Sequence, residues 1–358
     1  VMGTVEWMWQ EPVDIEVDHL GDVTWSEFGF IANGFTEASF ATTEFSMWIS
    51  PDGVAWEQIP TPDGIEGVWG MQPFLDGVVG QGYAAETVSL VYYDGRDWAV
   101  IPLAPQAADG FGGVWVAVAG DQALVINSWW ENASSLVSHA RVLGPDLVLR
   151  DATLPPLDSW TDVNVQMAGS ADGFIVATTS FYTADMAIWH STDTNTWTLI
   201  AESEQLDNAQ YLSGMSRHRS QYFVVGDAAE MRCDGPGDNG NCVWLSNVWS
   251  SPDGVAWDRV ITDSGEPVST YAIGSGPLGI VAIGQDSPDP TYPRPIYMSV
   301  DGTEWTTIGG PTLLDPDSEW WWVDTPAVGT DTIIAVGSSY RVTDNRDQPF
   351  MIIGRLVP

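Results

Sequence analysis

The sequence contains no lysine, and its 11 arginines face 49 acidic residues, which gives a formal net charge of −38 at pH 7. A chain this acidic repels phosphate backbones, so we expect neither nucleic acid nor an anionic membrane as a partner. The same charge would suit a cation, a basic protein or a neutral ligand. Alternatively, the acidic surface has no specific partner and only keeps the protein soluble, for example at high salt concentration.

Long apolar runs are also missing, because no segment approaches the roughly 18 consecutive apolar residues of a membrane-spanning helix. Helical periodicity is absent as well, since Gly and Pro interrupt almost every window longer than about ten residues. Hydrophobic residues still make up 44% of the chain, which is enough for a core. We therefore expect a soluble all-β protein. The start of the chain has no basic, apolar leader, so any export signal is expected to have been removed.

Cysteine is scarce: only Cys233 and Cys242 occur, and they enclose a segment rich in Gly, Asp and Asn. Two thiols at this spacing fit neither a four-ligand zinc site nor a Cys-x-x-Cys redox motif. We predict a disulfide that closes this loop. A disulfide of this kind indicates an oxidising compartment, so we expect the mature chain to be extracellular or at the cell surface.

A repeated turn is the main positive feature of the sequence. Ser-Pro-Asp-Gly-Val-Ala-Trp occurs identically at 50–56 and 251–257, with looser copies at 92–98, 191–197 and 299–305. Each copy lies between two strand-forming runs, which predicts a hairpin turn. In such a turn Asp accepts hydrogen bonds from nearby amides, Gly supplies a positive φ, and Trp packs beneath. The structural turn residues predicted in this way are Asp52, Trp56, Asp94, Trp98, Asp193, Trp197, Asp253, Trp257, Asp301 and Trp305.

Seven short apolar segments recur about every 50 residues, a spacing that suits a four-stranded sheet with its turns. The segments are 28–32, 77–80, 123–126, 174–177, 222–225, 278–283 and 332–336. They predict a single-domain, seven-bladed β-propeller of four-stranded blades. The predicted blades are about 20–62, 63–106, 107–157, 158–206, 207–264, 265–312 and 313–358, after a closing strand and lead-in at 1–19. The last repeat lacks a fourth strand, so we predict that Val5–Trp9 pairs with Phe350–Leu356 and closes the ring.

The pattern Ser-x-Asp-Gly-x-x-Trp at these turns resembles the Asp-box, or bacterial neuraminidase repeat. Asp-boxes occur in sialidases, some seven-bladed glucanases, sortilin-type receptors and a photosystem assembly factor. The resemblance covers essentially the whole chain at five positions, each one residue shorter than the commoner form. It implies propeller hairpins and no particular function, because in these families the boxes lie away from the ligand face. A sialidase would need an arginine-bearing motif before the first box, yet the first arginine is Arg96.

In a propeller of this kind, the loops joining second to third strands share one face with the loops that join blades. We name this the loop face and the opposite one the Asp-turn face. The longest loops between second and third strands are predicted at 33–45, 127–138, 227–247, 285–295 and 338–349. Two tryptophan clusters and several charged residues fall near them, and binding often resides on such loops. The predicted ligand-binding residues are Trp129, Trp130, Trp320, Trp321, Asp317, Glu319 and Arg341.

For each of these tryptophans core packing is the alternative, as it is for Trp69 and Trp115, which recur at similar places in their repeats. Asp234, Asp238 and Asn239 in the Cys-closed loop could hold Ca²⁺, although they do not follow the twelve-residue calcium loop. A solvated acidic rim is the alternative there. No other cofactor is predicted.

These features favour a binding or scaffold propeller that recognises a protein or polysaccharide through its acidic, Trp-bearing loop face. One alternative is a glycoside hydrolase with two loop-face carboxylates, but the abundance of acids prevents us from nominating a pair. Another is a structural subunit of an extracellular assembly. No catalytic residue is assigned, since the four histidines fall at unrelated repeat positions.

Overall fold

The computed structural model describes residues 4–10, 15, 17–39, 42–84, 87–103, 111–132, 135–157, 163–180, 186–206, 209, 211–233, 242–284, 295–308, 318–341 and 346–357. Within these ranges the chain forms β-strands and one short 3₁₀-helix, Ser203–Leu206. No helix in this part of the chain is long and apolar enough to cross a membrane.

The strands, in chain order, are β1 Thr4–Gln10, β2 His19–Ser26, β3 Gly29–Ser39, β4 Thr42–Ser50, β5 Glu57–Ile59, β6 Gly67–Phe74, β7 Gly77–Ala84, β8 Thr87–Tyr93, β9 Trp98–Pro102, β10 Phe111–Ala119, β11 Gln122–Asn132, β12 Ser135–Leu143, β13 Leu149–Ala152, β14 Val163–Ser170, β15 Gly173–Ser180, β16 Met186–Ser191, β17 Thr198–Glu202, β18 Tyr211–His218, β19 Gln221–Cys233, β20 Cys242–Ser251, β21 Asp258–Arg259, β22 Thr270–Gly276, β23 Gly279–Gly284, β24 Ile296–Ser299, β25 Thr306–Thr307, β26 Ser318–Val323, β27 Ala327–Val328, β28 Thr332–Arg341 and β29 Arg346–Val357.

These strands form seven antiparallel sheets arranged as a seven-bladed propeller, which confirms the predicted fold. Blades 1 to 6 each contain four consecutive strands, starting with β2, β6, β10, β14, β18 and β22. Blade 7 has the order β26 and β27, β28, β29, β1. The first strand of each blade is innermost and begins at the loop face.

The ring closes as predicted, because β1 supplies the fourth strand of blade 7. Val5 pairs with Leu356 and Trp9 with Ile352 in a continuous antiparallel register. Val5 and Trp7 pack against the hydrophobic core of blades 6 and 7, whereas the intervening Glu6 is exposed. This alternation is the strand pattern that a half-buried edge requires.

The core lies between neighbouring blades. At the seam between the first and last blades, Phe30 and Trp48 pack with Ile334 and Val336. Each blade has a neighbour on both sides, so its middle strands are buried on both faces. For that reason the second strands are nearly continuous apolar runs, as in β23, where every residue is buried.

The predicted loops between second and third strands are wrong in one respect, because much of their length is strand. Pairing continues from blade 1 through Glu37 and Thr43, and in blade 5 it reaches Cys233 and Cys242. These hairpins carry many polar residues, so they look like loops in the sequence. Main-chain hydrogen bonds, which the sequence pattern does not register, hold them together. The predicted loop at 285–295 lies almost wholly outside the described residues.

The repeated turns join the third and fourth strands. In blade 1 Asp52 Oδ1 accepts hydrogen bonds from the amides of Val54, at 2.9 Å, and Ala55, at 3.2 Å. Gly53 has φ of 76° and donates its amide to the Ser50 hydroxyl at 2.8 Å. The aspartates of four other turns accept the same two amide bonds, namely Asp94, Asp193, Asp253 and Asp301.

These hydrogen bonds stabilise the ionised carboxylates, and they hold the pKa of each of the five aspartates below its ordinary value. For Asp301 the pKa falls to about 2, chiefly because of the amides of Thr303 and Glu304. The five aspartates therefore stay ionised, and their carboxylates keep accepting the turn amides, except in strong acid.

The tryptophans of the turns bond in two ways. The indole N–H of Trp257 donates to the Gly254 carbonyl of its own turn, at 2.8 Å, and Trp305 does the same in blade 6. Trp98 and Trp197 instead donate to main-chain carbonyls of the preceding blade, at 2.8 and 2.6 Å. In those two cases the tryptophan ties adjacent blades together.

Candidate functional site

The seven innermost strands surround a central channel of about 640 Å³. Backbone and small side chains make up much of its wall. The polar side chains that line it include Asp22, Gln72, Gln81, Gln166, Arg217 and Thr325. A channel of this size can admit a small ligand or the end of a larger one.

Asp22 lies in a bulge near the loop-face end of β2, where the register shifts between Leu20 and Val23. Its amide donates to Asn33 Oδ1 at 2.6 Å, and its Oδ2 accepts the amide of Gly70, in blade 2, at 2.7 Å. Asn33 is buried and donates its Nδ2 to the Val68 carbonyl, also in blade 2, at 2.5 Å. Asp22 is therefore held through its amide by blade 1 and through its carboxylate by blade 2.

Two glycines make this arrangement possible. A Cβ at Gly21 would meet Asn33 Oδ1 and the Trp69 ring, so only glycine leaves room for the bulge to pack. Gly70 has φ of 59°, in the left-handed region, and this conformation turns its amide toward Asp22. The local fold thus presents one carboxylate with a fixed main-chain donor.

Asp324 lies in blade 7, in the break between β26 and β27. Its amide donates to the Val336 carbonyl at 2.9 Å, but two residues later Pro326 has no N–H, so the ladder is interrupted there. The side chain is only partly exposed. Burial, and second to it the negative charge of Asp22, raises the pKa of Asp324 to about 7.

Burial also raises the pKa of Asp22, and the hydrogen bonds from Gly70 and Asn33 partly offset this effect. Those donors favour the ionised form of Asp22, and its charge in turn keeps the proton on Asp324. Asp22 is densely surrounded by protein yet keeps partial exposure, because it faces the channel. Near neutral pH Asp324 can therefore both hold and release a proton beside a second carboxyl group, an arrangement that acid–base chemistry can use.

An aromatic cluster lies beside Asp22 at the loop face, where the Trp69 ring packs against Gly21. The ring of Phe35 stacks on His19, with centroids 4.6 Å apart, and lies 5.8 Å from Trp69, which in turn is 5.4 Å from Phe45. All four side chains are partly exposed. Partly exposed aromatic faces of this kind can stack on the apolar face of a sugar ring.

Trp129, one of the predicted ligand-binding residues, is partly exposed near the loop-face end of β11, with its ring 4.8 Å from His139. The other predicted residues within strands are described by their backbone alone: Trp130 pairs with Leu136, Trp320 with Tyr340, Trp321 with Ser339 and Arg341 with Ser318, and Glu319 lies in β26. Asp317, Asp234, Asp238 and Asn239 lie outside the described residues. The predicted binding role of this set stays a prediction.

The backbone places these predicted tryptophans on two separated blades, the third and the seventh. The acid pair lies instead where blades 7, 1 and 2 meet, and the sequence pattern did not predict it. One signal was available: both aspartates interrupt innermost-strand segments that are otherwise apolar or small, Leu20–Trp25 and Trp320–Val328. Burying a charged side chain at such a position costs free energy, so its presence there indicates a function.

No group of three His, Cys, Asp or Glu side chains in the described ranges is arranged to hold a metal ion. The calcium-binding residues predicted from the sequence fall outside those ranges, so the calcium site stays a prediction. Cys233 and Cys242 are directly opposite each other in the β19–β20 register. Their side chains lie outside the described part of the structure, and the disulfide stays a prediction.

No protein-family model and no curated protein matches the chain. Among solved structures, a puromycin hydrolase is similar over 95% of this chain, with 11% identity and a TM-score of 0.51; the chain spans 55% of that protein's length. A protein of unknown function from Dyadobacter fermentans is similar over 99% of both chains, with 9% identity and a TM-score of 0.51. An α-L-arabinofuranosidase from Fusarium graminearum covers 99% of this chain and 98% of its own, with 11% identity and a TM-score of 0.45. At these identities the likeness shows the propeller fold alone.

Proposed function

We propose that the protein is a glycoside hydrolase whose substrate binds at the loop-face mouth of the channel. The observation that carries this proposal is the Asp22–Asp324 pair where blades 7 and 1 meet, in which burial and the charge of Asp22 raise the pKa of Asp324 to about 7. Two carboxyl groups with different protonation states are what glycosidic bond cleavage requires.

In this mechanism Asp324 is the general acid and donates its proton to the glycosidic oxygen as the bond to the anomeric carbon breaks. The Asp22 carboxylate either attacks that carbon or removes a proton from the water that does so. The Gly70 amide and Asn33 hold Asp22 in place, so little reorganisation accompanies the reaction. Trp69 and Phe35 support the sugar through their partly exposed faces.

The test is hydrolysis of a panel of nitrophenyl glycosides and oligosaccharides by the wild-type protein and three variants. Asp324→Asn and Asp22→Asn should each lower kcat by at least 100-fold, because each removes a proton donor or acceptor of the reaction. Asp121→Asn, an exposed aspartate on the Asp-turn face, is the matched control and should be unchanged. An aryl leaving group of low pKa needs less acid assistance, so it should rescue Asp324→Asn but not Asp22→Asn.

If both aspartate variants keep full activity on every substrate that the wild-type protein cleaves, the pair is not catalytic. If the wild-type protein cleaves nothing in the panel, the enzyme proposal fails.

A second candidate is polysaccharide binding without hydrolysis, which the partly exposed aromatic cluster and Trp129 favour. In that case glycans would raise the melting temperature of the wild-type protein and of Asp324→Asn alike, while Trp69→Ala would abolish the shift. The proposed location for either function is extracellular or at the cell surface, which the predicted disulfide supports.

A further inference from the structure

We infer that Gln81 is a specificity-determining residue of the same site, and that its side-chain amide donates a hydrogen bond to one hydroxyl group of the sugar bound beside Asp22. This inference rests on the proposed function, since it places a sugar at the Asp22–Asp324 pair. It follows from the way blade 2 holds the Gln81 side chain next to the glycine that binds Asp22.

The first step is the position of Gln81, which lies in β7 and pairs with Trp69 of the innermost strand β6. The register of β6 shifts between Trp69 and Gln72, and this bulge contains Gly70, whose amide donates to Asp22 Oδ2 at 2.7 Å. A Cβ atom on Gly70 would lie 2.9 Å from Gln81 Nε2, so the Gln81 amide packs directly against this glycine. Asp22, Gly70 and Gln81 all line the channel. The Gln81 amide and the Asp22 carboxylate therefore contact the same main-chain segment.

The second step is the orientation of the Gln81 amide, which Tyr83 determines. The Tyr83 hydroxyl donates to Gln81 Oε1 at 3.1 Å. Burial raises the pKa of Tyr83 above its ordinary value of 10.0, so this hydroxyl keeps its proton at neutral pH. Because the oxygen end of the amide bonds to Tyr83, the nitrogen end, which can only donate, is the one beside Gly70.

The third step is what a donor at this place does. An ionised carboxylate only accepts hydrogen bonds, whereas a sugar hydroxyl has lone pairs that need a donor, and Gln81 supplies one beside Asp22. Gln81 is partly exposed, so a ligand in the channel can reach it. Gln72 lines the same wall, but its Nε2 donates to the Val116 carbonyl of blade 3 at 2.7 Å. Of these two glutamines, Gln81 therefore recognises the sugar and Gln72 joins two blades.

The experiment measures kcat/KM for the nitrophenyl glycoside that the wild-type protein cleaves fastest and for its monodeoxy analogues, each of which lacks one hydroxyl group. Gln81→Met keeps the length of the side chain and removes its donor and acceptor. It should lower kcat/KM for the parent glycoside by about 10-fold, the effect of one hydrogen bond, and leave it unchanged for the analogue without the recognised hydroxyl. Tyr83→Phe should give a smaller loss with the same pattern, because the Gln81 amide loses the bond that orients it.

Gln72→Met is the matched control, because it replaces the same residue type in the same channel wall. It should lower the melting temperature, since the bond to the Val116 carbonyl is lost, and any loss of kcat/KM should be equal for the parent glycoside and all its analogues. Titration calorimetry with the corresponding methyl glycosides makes the same comparison for binding alone.

The outcomes separate this inference from the hydrolase proposal. Hydrolysis in which Gln81→Met spares one analogue supports both, whereas hydrolysis in which Gln81→Met affects all analogues alike overturns this inference and leaves the hydrolase proposal standing. Binding without hydrolysis, again with one analogue spared, overturns the hydrolase proposal and supports recognition by Gln81. Binding with no analogue spared and no hydrolysis, or neither binding nor hydrolysis, overturns both.

Discussion

Replacing Asp324 by Asn should stabilise the protein at pH 8 and leave its stability almost unchanged at pH 4. Asp324 has a pKa of about 7 in the folded protein against an ordinary value of 3.8. When the folded pKa of an acid is raised, the folded state keeps a proton that the unfolded chain has already lost. Stability therefore falls as the pH rises from about 4 to about 7 and is constant above that.

The magnitude follows from the two pKa values. A difference of one pKa unit corresponds to about 1.4 kcal/mol, so the difference at Asp324 corresponds to about 4 kcal/mol at pH 8. Its side chain is partly exposed, so solvent screening reduces the electrostatic cost. We therefore expect Asp324→Asn to increase the free energy of unfolding by about 2 to 4 kcal/mol at pH 8, since Asn resembles the neutral carboxyl group.

Urea unfolding at several values between pH 4 and pH 8, followed by tryptophan fluorescence, measures this difference. The gain in stability should appear progressively between pH 4 and pH 7. Asp121→Asn, at an exposed turn, serves as the control and should show no such increase. A variant Asp324→Asn that is destabilised at pH 8, or that is stabilised equally at pH 4, would refute the assignment of a raised pKa.

Four further predictions concern the scaffold. Asn33→Ala should lower stability by about 2 kcal/mol, because it leaves a buried carbonyl and amide without their side-chain partner, and the pH–rate profile of any activity should change. Asp52→Ala should lower stability by about 1 kcal/mol at pH 7, an effect that disappears as the pH falls below about 4 because the pKa of that carboxyl is lowered in the fold; ligand binding should be unaffected. Deletion of residues 1–10 should lower the melting temperature sharply, and an unchanged value would argue against ring closure in solution. Mass spectrometry without reductant should find Cys233 and Cys242 joined, whereas two free thiols would remove the case for an oxidising compartment.

The sequence was sufficient for the architecture because the architecture is made of local, repeated signals. Each Asp-Gly turn carries its own hydrogen-bond pattern, and each second strand is apolar because it is buried on both faces. Even ring closure could be read from Val5–Trp9, since the last repeat lacked one strand. The lengths of the polar hairpins could not be predicted, because main-chain pairing between polar segments leaves no trace in the hydrophobic pattern.

The acid pair could not be predicted from the sequence, for a different reason. Asp22 and Asp324 are distant in sequence and meet only because the first and last blades become neighbours when the ring closes. With 49 acidic residues in the chain, composition alone cannot single out two of them. What distinguishes them is burial where the first and last blades meet, and burial is a property of the assembled ring.

The position of the pair at the seam links its chemistry to closure of the propeller. Blade 1 supplies Asp22, blade 2 supplies the amide of Gly70, and blade 7 supplies Asp324. Two ionisable carboxyl groups placed together oppose folding at neutral pH, so the seam must be stabilised elsewhere. The pairing of β1 with β29, the apolar contacts of Phe30 with Ile334, and a hydrogen bond from Arg355 to the Asp52 carbonyl on the Asp-turn face all lie at or beside that seam. A seam that keeps an acid pair is the arrangement expected where burial serves function, because replacing Asp324 by a neutral residue would stabilise the ring at neutral pH.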